Sequence, residues 1–507
     1  MFSQEFYAQE PALGNKHPKR VIDLLVSLDA SHISTTSDDA TDRELHSTNQ
    51  VIAAQPQREF CHGIHHLLNR ALVMVEAQAR PAFLEIDLTS EQGIALQRSV
   101  SDRYGPKIVR AASLASRMFL LRSPWAPGLR FIGAETKPRL LNGDGSARAS
   151  FSLSGSGEGL EEAFVSCVGE GIDRLAQIEC PDDVTVIASL PEIADRVMPS
   201  AIAAIEQDMV GQALSKAAPL AWVSGKLLDS GPDLDGDRSV LFPADWCLRR
   251  TAGEVCLKPR TALSVGVAAG PNFEWAASRA LLELIERDAA SLWWTGGRRG
   301  KTVPLDEPAM VEIARLVEHL RQQTNDRVSW LLDITTDIAV PVIVALSCDR
   351  DGRQLAYGLA ARLSVAEAAR AAILELCQTE LAILLAKIKR LENGEEGLLP
   401  TDRVHLERDA MISADRCELL HPLGVQSMQC ESVAVSDLSA IAGAMSRAGI
   451  EAALIDLTRP EFDIPVVRAA SPTLQPMPSD IVTDRLQRAI KDFGGGARHT
   501  CGVALII

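Results

Sequence analysis

The chain has 507 residues, a formal net charge of -16, 46% hydrophobic and 23% charged residues. That charge argues against general nucleic-acid binding and against docking on an anionic membrane surface, and no stretch reaches the ~18 apolar residues of a membrane span. Ten cysteines without a CxxC pair make a poor zinc or disulfide framework. They read as reduced thiols, and with no apolar h-region in MFSQEFYAQE the expected compartment is the cytoplasm.

Length alone suggests two to four domains. The first hundred residues carry the least information. Residues 30–49 are rich in Ser, Thr and Asp and read as loop, flanked by a helix in VIDLLVSL, a second helix over 64–79 and a strand in AFLEIDL. Cys61, His62, His65 and His66 lack a second ligand pair and do not read as a zinc site. Between strand-like runs in 131–153, NGDG marks a turn.

From Gly155 a pattern begins that occurs three times. GSGEGLEEAFVSCVGEGIDR, GVAAGPNFEWAASRALLELIER and GLAARLSVAEAARAAILELCQ each open on small residues and continue as helix. Aligned on Glu170, Glu283 and Glu375, each copy has alanine seven positions earlier, at Ala163, Ala276 and Ala368, preceded by Glu162, Trp275 or Glu367. Three positions after the central glutamates stand Asp173, Glu286 and Gln378, and the first two copies add Arg174 and Arg287. Positions i, i+3 and i+4 share a helix face. One such copy alone reads as a solvent-facing ion-pair pattern; three in register do not. Carboxylates converging on one cleft repel unless cations neutralise them, and all-oxygen ligands suit Mg2+ sharing its shell with phosphates. The interleaved arginines suit phosphate oxygens. No GxxxxGK[ST] occurs, so this is not a P-loop.

Between the copies, DVTVIASL reads as strand, 192–218 as helix, DLDGD as a hairpin or exposed loop, and EVCLKPRTALSVGVAAG as extended chain. The small residues of that last stretch would let backbone N–H groups approach an anion closely. Then come a helix in VEIARLVEHLRQQ, strands in VSWLLDIT and PVIVALSC, a surface loop over 392–415, a helix near 436–448, and strands in AALIDLT and IPVVRAA.

On these motifs the sequence resembles the YcaO family, ATP-dependent enzymes that activate peptide backbone amides. Ser166, Glu170, Asp173 and Arg174 look like its SxxxExxER motif, Glu283, Glu286 and Arg287 like its ExxER motif, and Arg370, Glu375 and Gln378 like its RALTELxQ helix. The resemblance covers about residues 100–475. It departs where Asp173 replaces a glutamate, where Trp275 replaces the leading glutamate of the second motif, where GSG lacks a lysine, and where ARHTCGVALII lacks a PxPxP tail. Arg468 stands where the family has a VVRVVVPGL-like strand end, but SPTLQ follows it.

The resemblance implies an α/β (α+β) fold with mixed sheets, three motif helices lining one nucleotide cleft, and a catalytic domain over 101–507 behind an extension over 1–100 that docks a peptide or partner. It implies ATP and Mg2+. Glu170, Asp173, Glu283, Glu286, Glu375 and Gln378 would hold the metal, and Ser166, Arg174, Arg287, Arg370 and Lys107 the nucleotide. Lys107, with Ser113 nearby, also reads as a surface lysine. The implied reaction is cyclodehydration of Cys, Ser or Thr in a ribosomally made peptide to thiazoline or oxazoline; thioamide or amidine formation and a non-catalytic scaffold are the alternatives. A precursor peptide and a separate leader-binding subunit are the expected partners, and a homodimer is a further expectation.

Overall fold

The computed structural model describes residues 82–137, 139–141, 147–149, 151–228, 238–250, 255–324, 326–425, 437–495, 500, 503 and 505. The helices expected before residue 80, the Cys61–His66 cluster and the DLDGD turn lie outside them.

Three sheets carry the fold. The first runs β1 (Ala82–Glu85), β2 (Ala115–Arg122), β3 (Arg130–Thr136) and β6 (Ser152–Gly157), all antiparallel. A short antiparallel pair joins β4 (Arg139–Leu141) and β5 (Ala147–Ala149), and the NGDG expected as a turn lies outside the described residues. The second runs β10 (Val267–Ala269), β16 (Val466–Ala470), β15 (Ala453–Asp456), β8 (Pro219–Leu227) and β7 (Val186–Ser189), with β9 (Ser239–Pro243) also on β8. The third runs β11 (Lys301–Thr302), β12 (Arg327–Asp333), β13 (Val342–Asp349) and β14 (Ala356–Ala361).

The helices are α1 (Glu91–Tyr104), α2 (Pro106–Ala111), α3 (Leu160–Ala176), α4 (Leu190–Ile193), α5 (Pro199–Gly211), α6 (Ala244–Cys247), α7 (Phe273–Trp294), α8 (Val311–Arg321), α9 (Val365–Asn393), α10 (Pro400–Met411), α11 (Asp437–Arg447) and α12 (Asp484–Phe493). The expected α/β architecture with several sheets and three long motif helices is what the chain forms; the sheets expected to be mixed are antiparallel at every pairing of the named strands. Residue 100 lies inside α1, which packs with β1 on the same core as α3.

Each repeat is one edge strand followed by one helix. β6, β10 and β14 each end their own sheet and lead directly into α3, α7 and α9. The small-residue openings exist because strand and helix touch. A Cβ on Gly155 would lie 2.2 Å from the Cys167 backbone nitrogen, and one on Gly358 2.2 Å from the Ala372 carbonyl oxygen, so only glycine lets these helices seat on their strands. Asn272 caps α7 by accepting from the Trp275 N–H at 2.8 Å, and Ser364 caps α9 by accepting from Glu367 at 3.2 Å.

The third sheet holds α7 and α9 on opposite faces. Along β13, Val342, Val344 and Leu346 enter the core shared with α7, while Ile343 and Ala345 enter the core shared with α8 and α9. A central strand covered on both faces reads as the continuous apolar run VIVALSC. Glu380, fully buried on α9, accepts from Arg321 of α8 at 2.6 and 2.8 Å and from Arg327 of β12 at 2.9 Å, which locks α9 in place.

Three expected elements differ. The helix expected over 192–218 breaks into α4 and α5, because Pro199 cannot continue a helix and instead starts one, and β8 begins at Pro219. The loop expected over 392–415 contains α10, whose Asp402 accepts from the Leu399 N–H at 2.9 Å and pairs with Lys389. Its many charges hide its buried residues Asp402, Val404, Leu406 and Arg408. The extended run before Gly270 forms strand only over β10. Among the described residues no helix is long and apolar enough to cross a membrane.

Candidate functional site

Edge strands expose backbone N–H groups that need acceptors. Here the motif carboxylates are those acceptors. Glu170 accepts from the Ser154 N–H at 2.6 Å and from its hydroxyl at 3.2 Å; Glu283 accepts from the Gly266 N–H at 3.0 Å; Glu375 accepts from the Leu359 N–H at 3.1 Å. In every copy the central glutamate of the helix ties back to its own strand, or to the residue just before it. The anions that the small-residue backbone approaches are thus the protein's own carboxylates.

The residues three positions further on reach the next repeat instead. Asp173 of α3 accepts a backbone hydrogen bond from Ala269 of β10. Glu286 of α7 accepts from the Ala361 N–H of β14 at 3.1 Å. Gln378 of α9 donates to the Ser156 hydroxyl of β6. First helix to second strand, second to third, third back to first: the three repeats close into a ring.

The ring gathers five of the six expected carboxylate and amide ligands around one charged centre. Glu283 is its hub, acting on Asp173 on one side and on Glu286 and Glu375 on the other. Burial, then Glu283 and Glu170, push the Asp173 carboxyl well above the usual range. Burial likewise raises Glu286 and Glu375, although Arg287 opposes it in both. Gln378 is engaged with Ser156 and stands apart as the one neutral member. Among the described residues no three His, Cys, Asp or Glu side chains form a ready-made metal cage. That differs from the expected six-ligand set, and suits a Mg2+ that takes one or two carboxylates and completes its shell with phosphates and water.

Arg287 is 8% exposed. Its Nη2 donates to Glu283 at 3.2 Å, while its Nε and Nη1 are buried without a hydrogen-bond partner. Burial opposes its charge, but Glu286, Glu283 and Glu375 outweigh burial and hold its pKa above the ordinary value. Asp173 Oδ1 is also shielded and partnerless. Guanidinium donors and a carboxylate oxygen that are buried without hydrogen-bond partners, both within reach of the field of Glu283, fit a magnesium-bound polyphosphate.

The remaining expected residues sit around this centre in different states. Arg174 folds onto Glu170 at 2.7 and 3.0 Å. Arg370 spans from α9 to Glu158 at 2.7 Å and Glu162 at 3.0 Å, joining the third copy to the entry of the first. Ser166 is exposed on α3. Lys107 is not brought to the ring: it forms an exposed ion pair with Asp463 at 2.7 Å, as the surface-lysine alternative expects.

Two arginines join the site that the motifs did not name. Arg468 on β16, 4% exposed, donates to the Leu263 carbonyl at 2.6 Å and lies in the field of Glu283. With Arg287 and Trp246 it lines a cavity of about 70 Å³. The strand IPVVRAA carries the signal, an arginine inside an apolar strand. Arg362 follows β14, and Glu286, Glu375, Glu367 and Glu283 all act on it, although burial outweighs them and lowers its pKa.

A family model described as YcaO cyclodehydratase, ATP- and Mg2+-binding, matches residues 154–475. The chain belongs to the YcaO family. The match spans all three repeats and ends just past Arg468. An uncharacterized protein of Methanothermobacter thermautotrophicus is 25% identical over 352 residues, 66% of this chain and 84% of that protein. Solved structures with a similar fold include a heterocyclase in complex with substrate and cofactor, at a TM-score of 0.55 and 20% identity over 75% of this chain. The chain spans about half that heterocyclase, 52% of its length. The YcaO of Methanopyrus kandleri bound with AMPPCP and Mg2+ aligns at a TM-score of 0.50 and 18% identity, covering 75% of this chain and 91% of that one. The E. coli microcin synthetase McbBCD complex aligns at 0.50 and 15%, covering 71% and 88%. At these identities the likeness is one of fold.

Proposed function

We propose that this chain uses ATP and Mg2+ to activate backbone amides of a ribosomally made peptide, closing Cys, Ser or Thr side chains into thiazoline or oxazoline rings. One observation carries the reading: the carboxylates of the ring share Glu283 as neighbour, and among them Arg287 Nε and Nη1 and Asp173 Oδ1 are buried without a hydrogen-bond partner. The family model's ATP- and Mg2+-binding description supports it.

In this reading Glu170, Asp173, Glu283, Glu286 and Glu375 would supply the one or two carboxylates that each bound Mg2+ takes, while Arg174, Arg287 and Arg370 would take phosphate oxygens and Ser166 would lie at the nucleotide's edge. ATP, when bound, supplies the phosphoryl group that makes the amide oxygen a leaving group. The substrate side chain adds to the amide carbon, its proton leaves, and expulsion of phosphate completes the loss of one water. The chain's own contribution is electrostatic. Fixed guanidinium groups stabilise charge that grows on the amide oxygen, and burial keeps water from competing. The part of residues 1–100 that precedes β1 and a separate leader-binding subunit would bring the peptide, as the microcin synthetase is a complex.

The test is mass spectrometry of Cys- and Ser-rich peptides incubated with the chain, its partner, ATP and Mg2+. The proposal expects loss of one water per modified residue with one phosphate released. Exchange of oxygen for sulfur, or gain of an amine, would replace azoline chemistry by thioamide or amidine formation. Unmodified peptide without phosphate release would favour a scaffold.

A further inference from the structure

The three copies are equivalent in their glutamates but not in their cations. Four residues after the central glutamate the first two copies carry Arg174 and Arg287; the third carries Thr379. Thirteen residues before it the first two carry Gly157 and Gly270; the third carries Arg362. Both glycines are sites where a side chain would collide. A Cβ on Gly157 would lie 2.6 Å from Glu162 Cβ, and one on Gly270 2.3 Å from Trp275 Cε3. The third copy therefore loses an arginine from its helix and gains one at the turn between its strand and helix.

That arginine is held where it can act. The Arg362 backbone N–H donates to the Pro341 carbonyl at 3.0 Å, and its Nη1 donates to the Ala361 carbonyl at 2.6 Å. The Ala361 N–H in turn donates to Glu286 at 3.1 Å. Arg362 stands in the field of Glu286, Glu375, Glu367 and Glu283, yet among the described residues it forms no ion pair with any of them. Its other donors stay available near the centre where Arg287 Nε and Nη1 lack a hydrogen-bond partner.

We infer that Arg362 is a further arginine of the nucleotide site beside Arg174, Arg287 and Arg370, standing at the strand end of the copy that has Thr379 where the others have arginine, and that it binds a phosphate oxygen of the triphosphate. The inference rests on the ATP reading above. A guanidinium offers two parallel donors to phosphate, and Arg370, the other arginine of the third copy, is turned to Glu158 and Glu162.

The experiment is calorimetry with Mg-AMPPCP and with adenosine, which has the ring but no phosphate. Arg362→Gln should weaken Mg-AMPPCP by about tenfold or more and leave adenosine unchanged. Arg362→Lys should recover part of the loss, and it serves in place of the Gln variant if that fails to fold. Wild-type affinity for Mg-AMPPCP in both variants, or equal losses for Mg-AMPPCP and adenosine, would overturn the assignment and leave Arg362 a structural residue. A wild-type chain that binds no Mg-AMPPCP removes the ATP reading itself, an outcome visible before any variant is made.

Discussion

Glu286 on the second motif helix accepts from the Ala361 N–H on the third motif strand at 3.1 Å. This bond joins two segments that lie 75 residues apart in sequence and makes one carboxylate serve two ends. It satisfies an edge-strand donor, and it brings a negative charge, 7% exposed, into the field of Glu283 and Glu375. Stability and ligand binding are opposed at this atom.

The opposition is measurable. Glu286→Gln keeps an acceptor for Ala361 and removes a buried charge, so the ligand-free protein should melt higher while Mg-ATP affinity falls at least tenfold. Glu286→Ala leaves the buried N–H unpaired and should lower stability by about 1–3 kcal/mol. Thermal melts with and without Mg-ATP separate the two effects.

Ligand binding should release protons. Burial raises Asp173, Glu286 and Glu375, so between the ordinary carboxylate pKa and their raised values the folded chain binds more protons than the unfolded one. The stability of the ligand-free protein therefore falls as pH rises through that window, and the cost is complete above the folded pKa values. Metal needs the charged forms. Calorimetry at about pH 6 in buffers of different ionisation heat should show net proton release on Mg-ATP binding, shrinking as the pH rises. Net proton uptake would contradict the assignment.

Two glycine substitutions should move in opposite directions. Gly358→Ala would set a Cβ 2.2 Å from helix backbone, where nothing flexible can yield, and should cost several kcal/mol or prevent folding. Gly169→Ala on α3 meets nothing within 4 Å and should stabilise by about 0.5–1 kcal/mol. Denaturant unfolding decides both.

His405 gives α10 a pH dependence of its own. Burial, then Arg408, push its pKa down to about 4 against the pull of Asp402. The unfolded chain takes up the proton near the ordinary 6.5, the folded chain only near 4, so stability is full above the first value and lost as pH falls toward the second. The loss is about 3 kcal/mol across the window. His405→Gln should flatten it.

The repeat was legible because it is local. Three glutamates, their i+3 partners and the small-residue entries lie within about twenty residues of sequence each, and the helical period alone places them on one face. What the sequence did not show is non-local. The link from Gln378 to Ser156 joins residues 222 positions apart, and nothing in either segment marks the partner. Arg362 was hidden for a different reason: it stands at a position where its two equivalents are glycine, so alignment on conserved letters passes over it. The helix α10 was hidden by composition, since a stretch that buries Arg408 and Asp402 looks like surface. Lys107, which the resemblance implied for the nucleotide and which also reads as a surface lysine, pairs with Asp463 on the surface.

The most direct test of the central claim is Mg2+-dependent ATP binding by calorimetry, on the wild-type chain and on Glu283→Gln with Glu286→Gln. The account predicts micromolar binding that requires Mg2+ and is lost in the double variant, whose circular dichroism and melt remain those of a folded protein. Binding of equal strength in the double variant, or no binding by the wild type with its partner present, would contradict it.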